Sequence, residues 1–384
     1  MMDDTTSRTA FFDSGNKTHQ FAAELLAKVD IQIGGSRPWD IRFNAHGVPE
    51  AAMTQGNLGF GEAYMNGAWD VDELDQFFCR LLGAKLSKQI KPAKILPHII
   101  KSKCLNRQTR KRAWAVGEAH YDLGNEFYGA MLDSRMTYTC GYWKDANTLE
   151  EAQTAKLDLI CQKLNLQPGM RLLDIGCGWG SLMAYAAQNY GVEAVGVTIS
   201  KEQADWALAQ YPHLSLDFRL MDYREVDEKF DRIASVGMFE HVGPKNYRTF
   251  MEVAHRCLNP GGLFLLHTIG KNLRKSYPDP WIDKHIFPNG ELPSIGQIGD
   301  AVDELFVVED LHSFGADYDK TLMAWHENFE KAWPRFQDEL GERFYRMWRY
   351  YLLSCAGAFR ARDLQLWQWV LAKDGVPGGY HRVT

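Results

Sequence analysis

The densest chemical signal in the chain is the run Arg171-Leu172-Leu173-Asp174-Ile175-Gly176-Cys177-Gly178-Trp179-Gly180. A short apolar stretch that ends in an acid and breaks into glycines spaced two apart reads as a buried strand turning tightly before a helix. The glycines remove Cβ atoms where a ligand would lie, the helix from Ser181 aims its positive end there, and Asp174 adds a carboxylate. A dinucleotide fingerprint wants its last glycine one place later, where this chain has Ser181. The G-x-G-x-G form therefore favours S-adenosylmethionine (SAM) over NAD. Gly176, Gly178 and Gly180 would underlie its methionine and ribose, with Asp174 near the amino group. An ordinary glycine turn between strand and helix is the competing reading of the motif alone.

The elements that must position this turn have the rhythm of an α/β fold. Thr148 with Glu151 forms a capping box for a helix whose Ala152, Ala155, Leu157, Ile160 and Leu164 face inward, and Pro168-Gly169 ends it. Strands are predicted at Arg171–Ile175, Val192–Ile199, Leu216–Met221, Phe230–Val236, Leu263–Leu266, Phe306–Leu311 and Gln365–Val370. Their alternation with helices implies a mostly parallel, doubly wound, Rossmann-like sheet of seven strands, as in class I SAM-dependent methyltransferases, with ligands at the carboxyl ends of the strands. By analogy with those enzymes the last strand is expected to be antiparallel. Asp222 stands at a strand end where an acid commonly meets the adenine amine, and Tyr223 follows it. Asn272 to Pro293, with four prolines, reads as an irregular insertion over the site, ahead of helices from Tyr318 to Trp333 and from Gly341 to Ala361.

Residues 1–84 read as a small, mostly helical domain. Ile31–Ile33 and Trp39–Phe43 have the alternation of short strands across a Gly34-Gly35 turn. A helical pattern from Gly59 is continued by Val71, Leu74, Phe77, Phe78, Leu81 and Leu82, whose common face either packs inside its domain or meets a membrane.

Composition bounds the function. With 384 residues, 45% apolar and 24% charged, the chain is globular and long enough for two or three domains. The polar, acidic start is expected to be neither a signal nor a transit peptide, and no apolar run approaches the length of a membrane span. Seven cysteines without a C-x-x-C pair predict cytosolic usage, no disulfide framework and no metal site. Lys85 to Arg112 contains ten Lys or Arg and no acid, which leaves −16 on the rest of a chain whose total is −6. Residues 85–117 are therefore read as a basic linker, with 118–384 as the catalytic domain. Isoleucines interleaved with its lysines suit an anionic lipid surface better than nucleic acid, where stacking aromatics would be expected; a plain solvated linker is the competing reading.

Several strings occur together: Met136–Trp143 (MTYTCGYW), the glycine run, Val195–Ser200 (VGVTIS), Gly237–Tyr247 (GMFEHVGPKNY), Leu265–Gly270 (LLHTIG), Phe314–Tyr318 (FGADY) and Ala356–Asp363 (AGAFRARD). Together they resemble the cyclopropane-fatty-acyl-phospholipid synthases, over nearly the whole chain. The resemblance implies methylene transfer from SAM to the cis double bond of an acyl chain in a membrane phospholipid. It implies a cytoplasmic homodimer that visits the inner face of the bilayer as a peripheral protein, and a lipid-binding role for residues 1–84. It also implies a bound bicarbonate as base, with Cys140, Glu240, His267, Tyr318 and the backbone of Ile269 at the matching positions. Tyr138 and Thr139 would close over the cofactor; Thr198, Ser200 and Gln203 would contact it, though Ser200 and Gln203 read equally well as a capping box.

The residues suit that chemistry. A carboxylate placed directly against a sulfonium or a carbocation risks alkylation, so a small bound base is attractive; His267 and Tyr318 can donate to it, Cys140 weakly, and Ile269 through its N–H. Glu240 would repel it unless a proton is shared. Tyr142, Trp143, Phe239, Tyr247 and Tyr318 are candidates to face a cation, or are core. A methyltransferase that leaves a methyl branch or acts on a small amine, and a lipid-binding adaptor without catalysis, are the alternatives.

Overall fold

A computed structural model describes residues 11–84, 123–274 and 277–383. The basic run Lys85–Arg112, and the rest of the linker to residue 117, lie outside the described residues. Contacts divide the chain into two compact units: Met1–Leu105 with Tyr277–Pro288 and Leu322–Leu364, and Asn106–Ser276 with Asn289–Thr321 and Gln365–Thr384. The sheet-bearing unit is thus not the continuous stretch 118–384, because two later segments pack with the amino-terminal residues.

In the first unit, helix Lys17–Ala27 is capped by the Asn16 side chain, which accepts the Thr18 N–H at 2.8 Å. The chain turns at Gly34 as expected, but the flanking segments do not pair as a two-stranded hairpin. Ile33 makes one bridge to Ile41, and strand β1 (Arg42–Phe43) pairs antiparallel with β2 (Trp69–Asp70). The buried Asp40 carboxylate shapes that corner by accepting the N–H groups of Gln32 at 2.7 Å and Arg37 at 3.0 Å. The helical pattern from Gly59 to Leu82 likewise breaks in two, into Asn57–Met65 and Leu74–Gly83. Gly67 at φ 74° turns the chain, and Trp69 enters β2 with its ring stacked 4.2 Å from Phe60. Leu74, Phe77 and Phe78 are buried within this unit, each fully buried large side chain worth about 1.5–3 kcal/mol. Helix Gln337–Arg360, interrupted only at Gly341 (φ 72°), packs beside them. A Cβ on its Gly357 would lie 2.5 Å from the Asp75 carbonyl, so glycine permits the approach. Short helix Pro280–His285 belongs here too, with Trp281 fully buried, 4.5 Å from the Tyr350 ring.

The second unit carries the seven-stranded sheet, β3 (Arg171–Ile175), β4 (Glu193–Thr198), β5 (Leu216–Leu220), β6 (Phe230–Val236), β7 (Leu258–Lys271), β8 (Val307–Ser313) and β9 (Leu364–Ala372), in the order β5-β4-β3-β6-β7-β9-β8. The pairs from β5 across to β7 are parallel, and β8 runs antiparallel to β9, as expected of the last strand. Apolar clusters cover both faces: Phe230, Phe250, Phe264 and Trp367 on one, and Leu157, Ile160, Leu172 and Leu265 on the other. Burial on both faces accounts for the near-continuous apolar strand sequences. Strand β7 is longer than its apolar run Leu263–Leu266 suggests, and its extension carries His267 and Ile269 to the end of the sheet. Among the described residues no helix is long and apolar enough to cross a membrane.

Candidate active site

Gly176, Gly178 and Gly180 all lie at positive φ (84°, 53° and 77°), which only glycine adopts without strain. Two are also enforced by packing. A Cβ at Gly176 would come 2.6 Å from the Met238 side chain, and one at Gly180 would come 2.5 Å from the Phe218 ring. At Gly178 the nearest atom is Nε2 of Gln203, 4.0 Å away, so the open edge of the turn lies there. Asp174 precedes the turn on β3, buried, and its Oδ1 has no partner among the described residues. Burial pushes its pKa up to about 7, with the Lys156 ammonium pulling the other way. An ammonium ligand is what such a carboxylate would favour.

Thr198, at the end of β4, accepts the Ser200 N–H at 3.1 Å and donates to Gln203 Oε1 at 3.4 Å. Ser200 caps its helix by accepting the Gln203 N–H, but the Gln203 side chain turns to Thr198 and the glycine turn. The capping-box reading is therefore half right, and the Gln203 amide stays beside the ligand position. Asp222 is turned to Arg224, which donates to it through Nε and a terminal guanidinium nitrogen, both at 2.8 Å. The Tyr223 ring is buried 5.1 Å from Phe250. Tyr138 lies 5.4 Å from the Tyr128 ring, which in turn lies 5.3 Å from Trp179 in the glycine run.

Two residues missed from sequence hold the loop over this turn. Gln153 Nε2 donates to the carbonyls of Thr139 (2.8 Å) and Thr137 (3.3 Å), and the fully buried Lys156 donates to Thr139 Oγ1 at 2.7 Å. Thr139 packs so closely on the end of β6 that a Cβ at Gly237 would lie 2.5 Å from its methyl group. Burial lowers the Lys156 pKa to about 8, while Asp133, Cys140 and Asp174 oppose that shift. The signal was available. Positions 149, 153, 156 and 160 share one buried stripe of helix Leu149–Lys163, and two of the four are polar.

Of the five residues expected at the base site, Glu240, His267 and Ile269 lie at the ends of β6 and β7. Glu240, in the short 3-10 turn Phe239–His241, accepts the Ile269 N–H on Oε1 at 2.6 Å, while its buried Oε2 has no partner among the described residues. The N–H that sequence reasoning offered to an anion is thus committed to Glu240. Burial raises the Glu240 pKa to about 7, against the hydrogen bonds from Ile269 and Thr268. His267 is fully buried, with Nδ1 3.2 Å from Gln368 Nε2 and Nε2 unpartnered among the described residues. Burial first, then the Lys156 and Lys163 charges, hold its pKa well below the usual imidazole value.

Cys140 and Tyr318 lie on two other elements, a loop and a helix start that are hydrogen-bonded to each other. The amides of Gly141 (3.0 Å) and Trp143 (2.8 Å) donate to Thr321 Oγ1 and Asp317 Oδ2 on helix Ala316–Ala332, whose first turn carries the buried Tyr318. The Cys140 thiol donates to the Gly141 carbonyl at 3.2 Å, and burial pushes its pKa well up. The two groups are linked by rings, His267 to Phe314 at 5.8 Å and Phe314 to Tyr142 at 5.3 Å, and by Lys156, whose charge acts on Cys140, Asp174 and His267. Two cation-facing candidates are core instead. Phe239 and Tyr247 stack 4.3 Å apart inside the apolar cluster, and the Tyr247 hydroxyl donates to the Glu291 carbonyl.

Known proteins are similar to this chain in sequence and fold. The mycolic acid cyclopropane synthetase family matches residues 108–369. The cyclopropane-fatty-acyl-phospholipid synthase of Escherichia coli K12 is 53% identical over 368 residues, 94% of each chain. Among solved structures, the cyclopropane synthase MmaA2 of Mycobacterium tuberculosis superposes with a TM-score of 0.65 at 34% identity, covering 70% of this chain and 100% of that one. The mycolic acid cyclopropane synthase CmaA1, solved with SAH and CTAB, does so at 0.64 and 37% identity, covering 68% and 98%.

Proposed function

The chain belongs to the mycolic acid cyclopropane synthetase family, and from that premise we propose that it converts the cis double bond of an unsaturated acyl chain, within a membrane phospholipid, into a cyclopropane ring. The observation that carries the reading is a set of three buried polar atoms without partners among the described residues: Asp174 Oδ1 at the glycine turn, and Glu240 Oε2 and His267 Nε2 at the ends of β6 and β7. Native proteins rarely leave such atoms unpaired; eight others occur among the described residues, the indole nitrogen of Trp281 among them, and these three are set apart by their place at the glycine turn and at the strand ends, where ligands of such a sheet bind.

SAM, the co-substrate, supplies an electrophilic methyl group on a sulfonium. Over the whole reaction one C–S bond, one C–H bond and the alkene π bond give way to two new C–C bonds, with S-adenosylhomocysteine and a proton as co-products. Asp174 binds the ammonium end, Gly178 gives the backbone room to approach, and Gln203 and Thr198 stand beside it. Thr139, fixed by Gln153 and Lys156, closes the near side. Tyr142 and Phe314 keep water from a cationic centre on the acyl chain. Cys140, Glu240, His267 and Tyr318 would hold the bicarbonate that the resemblance implies, and the two unpartnered buried atoms fit a small anion that carries a proton. Such an ion supplies a base less readily alkylated than a side-chain carboxylate. Glu240, with its pKa near 7, is poised to share a proton at Oε2.

The enzyme acts as a homodimer at the cytoplasmic face of the membrane, with the charge of Lys85–Arg112 drawing it to anionic headgroups. The test is incubation with SAM and cis-unsaturated phospholipid vesicles, followed by lipid mass spectrometry. The expected product is one methylene heavier and lacks the double bond; a saturated methyl-branched or oxygenated product would overturn the assignment.

A further inference from the structure

Behind His267 runs a buried polar chain that the reaction outlined above does not use. Lys163, fully buried on helix Leu149–Lys163, donates from Nζ to Gln368 Oε1 on β9 at 2.9 Å and to His312 Nδ1 on β8 at 2.9 Å, and faces Asp310 at 3.8 Å. Gln368, also fully buried, places Nε2 3.2 Å from His267 Nδ1. The direction of these hydrogen bonds is fixed by chemistry. An amino group of lysine donates here, so the Gln368 atom facing it must be the carbonyl oxygen. The other end of the amide is then NH2, which only donates, so His267 Nδ1 must accept and carry no proton. A neutral imidazole holds its proton on the remaining nitrogen, and in His267 that is Nε2, the atom without a partner among the described residues.

We propose that Lys163 and Gln368 are positioning residues that fix His267 as the Nε2–H tautomer, so that His267 serves the reaction as a hydrogen-bond donor and not as the proton acceptor. The part played in the reaction rests on the proposed function; the tautomer does not. Burial of Lys163, Gln368 and His267 strengthens the constraint, because a reversed Gln368 amide would set NH2 against an amino group and leave two buried donors opposed. The arrangement parallels the outer partners that fix the tautomer of metal-bound histidines, with a bound anion in place of the metal.

The test is nitrogen NMR of the full chain labelled with 15N-histidine, the His267 signals being assigned by their loss in His267→Asn. In the wild-type protein without substrate, His267 should show an unprotonated Nδ1 and a protonated Nε2; a protonated Nδ1 would overturn the proposal whatever the enzyme's activity. Gln368→Glu keeps an acceptor for Lys163 but offers His267 a second acceptor in place of the donor. The proton should therefore move to Nδ1, and kcat should fall by about ten- to a hundredfold, the range for outer partners that orient a ligating histidine. KM for SAM should stay within about twofold, since Gln368 does not touch the glycine turn. Gln368→Leu should release the preference and give a mixture of tautomers. An unaltered His267 tautomer in both variants would refute the positioning role. The predicted tautomers without any ring-forming activity in the wild type would instead refute the proposed function and leave the tautomer assignment standing.

Discussion

Binding of the cofactor should expel a proton from Asp174. Its carboxyl, buried at the end of β3, titrates near pH 7 in the free protein. An ammonium group placed against Oδ1 favours the charged form and drives the pKa back below about 4, as an adjacent cation does. The proton released per molecule of SAM bound is then about 0.9 at pH 6 and about 0.5 at pH 7, and affinity rises about fiftyfold between pH 5 and pH 7, roughly 2 kcal/mol. Isothermal titration calorimetry in buffers of different ionisation enthalpy reads both quantities. Asp174→Asn should abolish the release and flatten the pH dependence, whereas Glu240→Gln, which removes the other carboxyl near pH 7, should leave both intact. The sign for stability follows separately. A folded-state pKa above the unfolded one means that the free protein loses stability as pH rises from about 4 to about 7. Asp174→Asn should accordingly raise the apo melting temperature at pH 8 and leave it unchanged at pH 4. Affinity that is flat with pH, or no proton release at pH 6, would refute the placement of Asp174 against the amino group.

Gly178→Ala should weaken SAM binding at least tenfold and lower the melting temperature by only a few degrees, the cost of an alanine at positive φ whose methyl group meets no atom nearer than 4.0 Å, whereas Gly180→Ala, strained in the same way and also driven into Phe218, should unfold at clearly lower temperature. Lys156→Met should leave the fold intact but release Thr139, raising KM for SAM more than it lowers kcat; steady-state kinetics with both substrates measures the split. His267→Ala should retain SAM binding by calorimetry and lose ring formation. Replacing Lys85, Lys88, Lys91 and Lys94 with Gln should weaken association with anionic vesicles by about 1 kcal/mol per charge near the surface and reduce its salt dependence, read by vesicle co-sedimentation.

The sheet was legible in the sequence because its strands are buried on both faces and bounded by glycine, proline and capping residues, as in Pro168-Gly169 before Arg171 and Thr148 with Glu151. The amino-terminal residues were less so. Short strands such as β1 and β2 contain two residues each, too few for a period, and their pairing across 26 residues depends on where Gly67 turns the chain. Nor could local pattern show that Trp281 is buried with the amino-terminal unit, since that contact is set by the space at Gly61. At the site, glycines and acids could be found by type and spacing; Gln153 and Lys156 were signalled only as polar residues on an apolar helix stripe, and Lys163 and Gln368 were hidden. Each sits in an apolar stripe or strand, and only the three-dimensional neighbourhood reveals which polar atom it serves.

The most direct test of the central claim is the fate of the transferred methyl hydrogens. With SAM carrying a trideuterated methyl group and cis-unsaturated phospholipid vesicles, the lipid product should retain two of the three deuterons in a new ring carbon and lose one. A product retaining all three, on a saturated branch or on any other acceptor, would contradict ring closure by deprotonation at the Glu240 and His267 site.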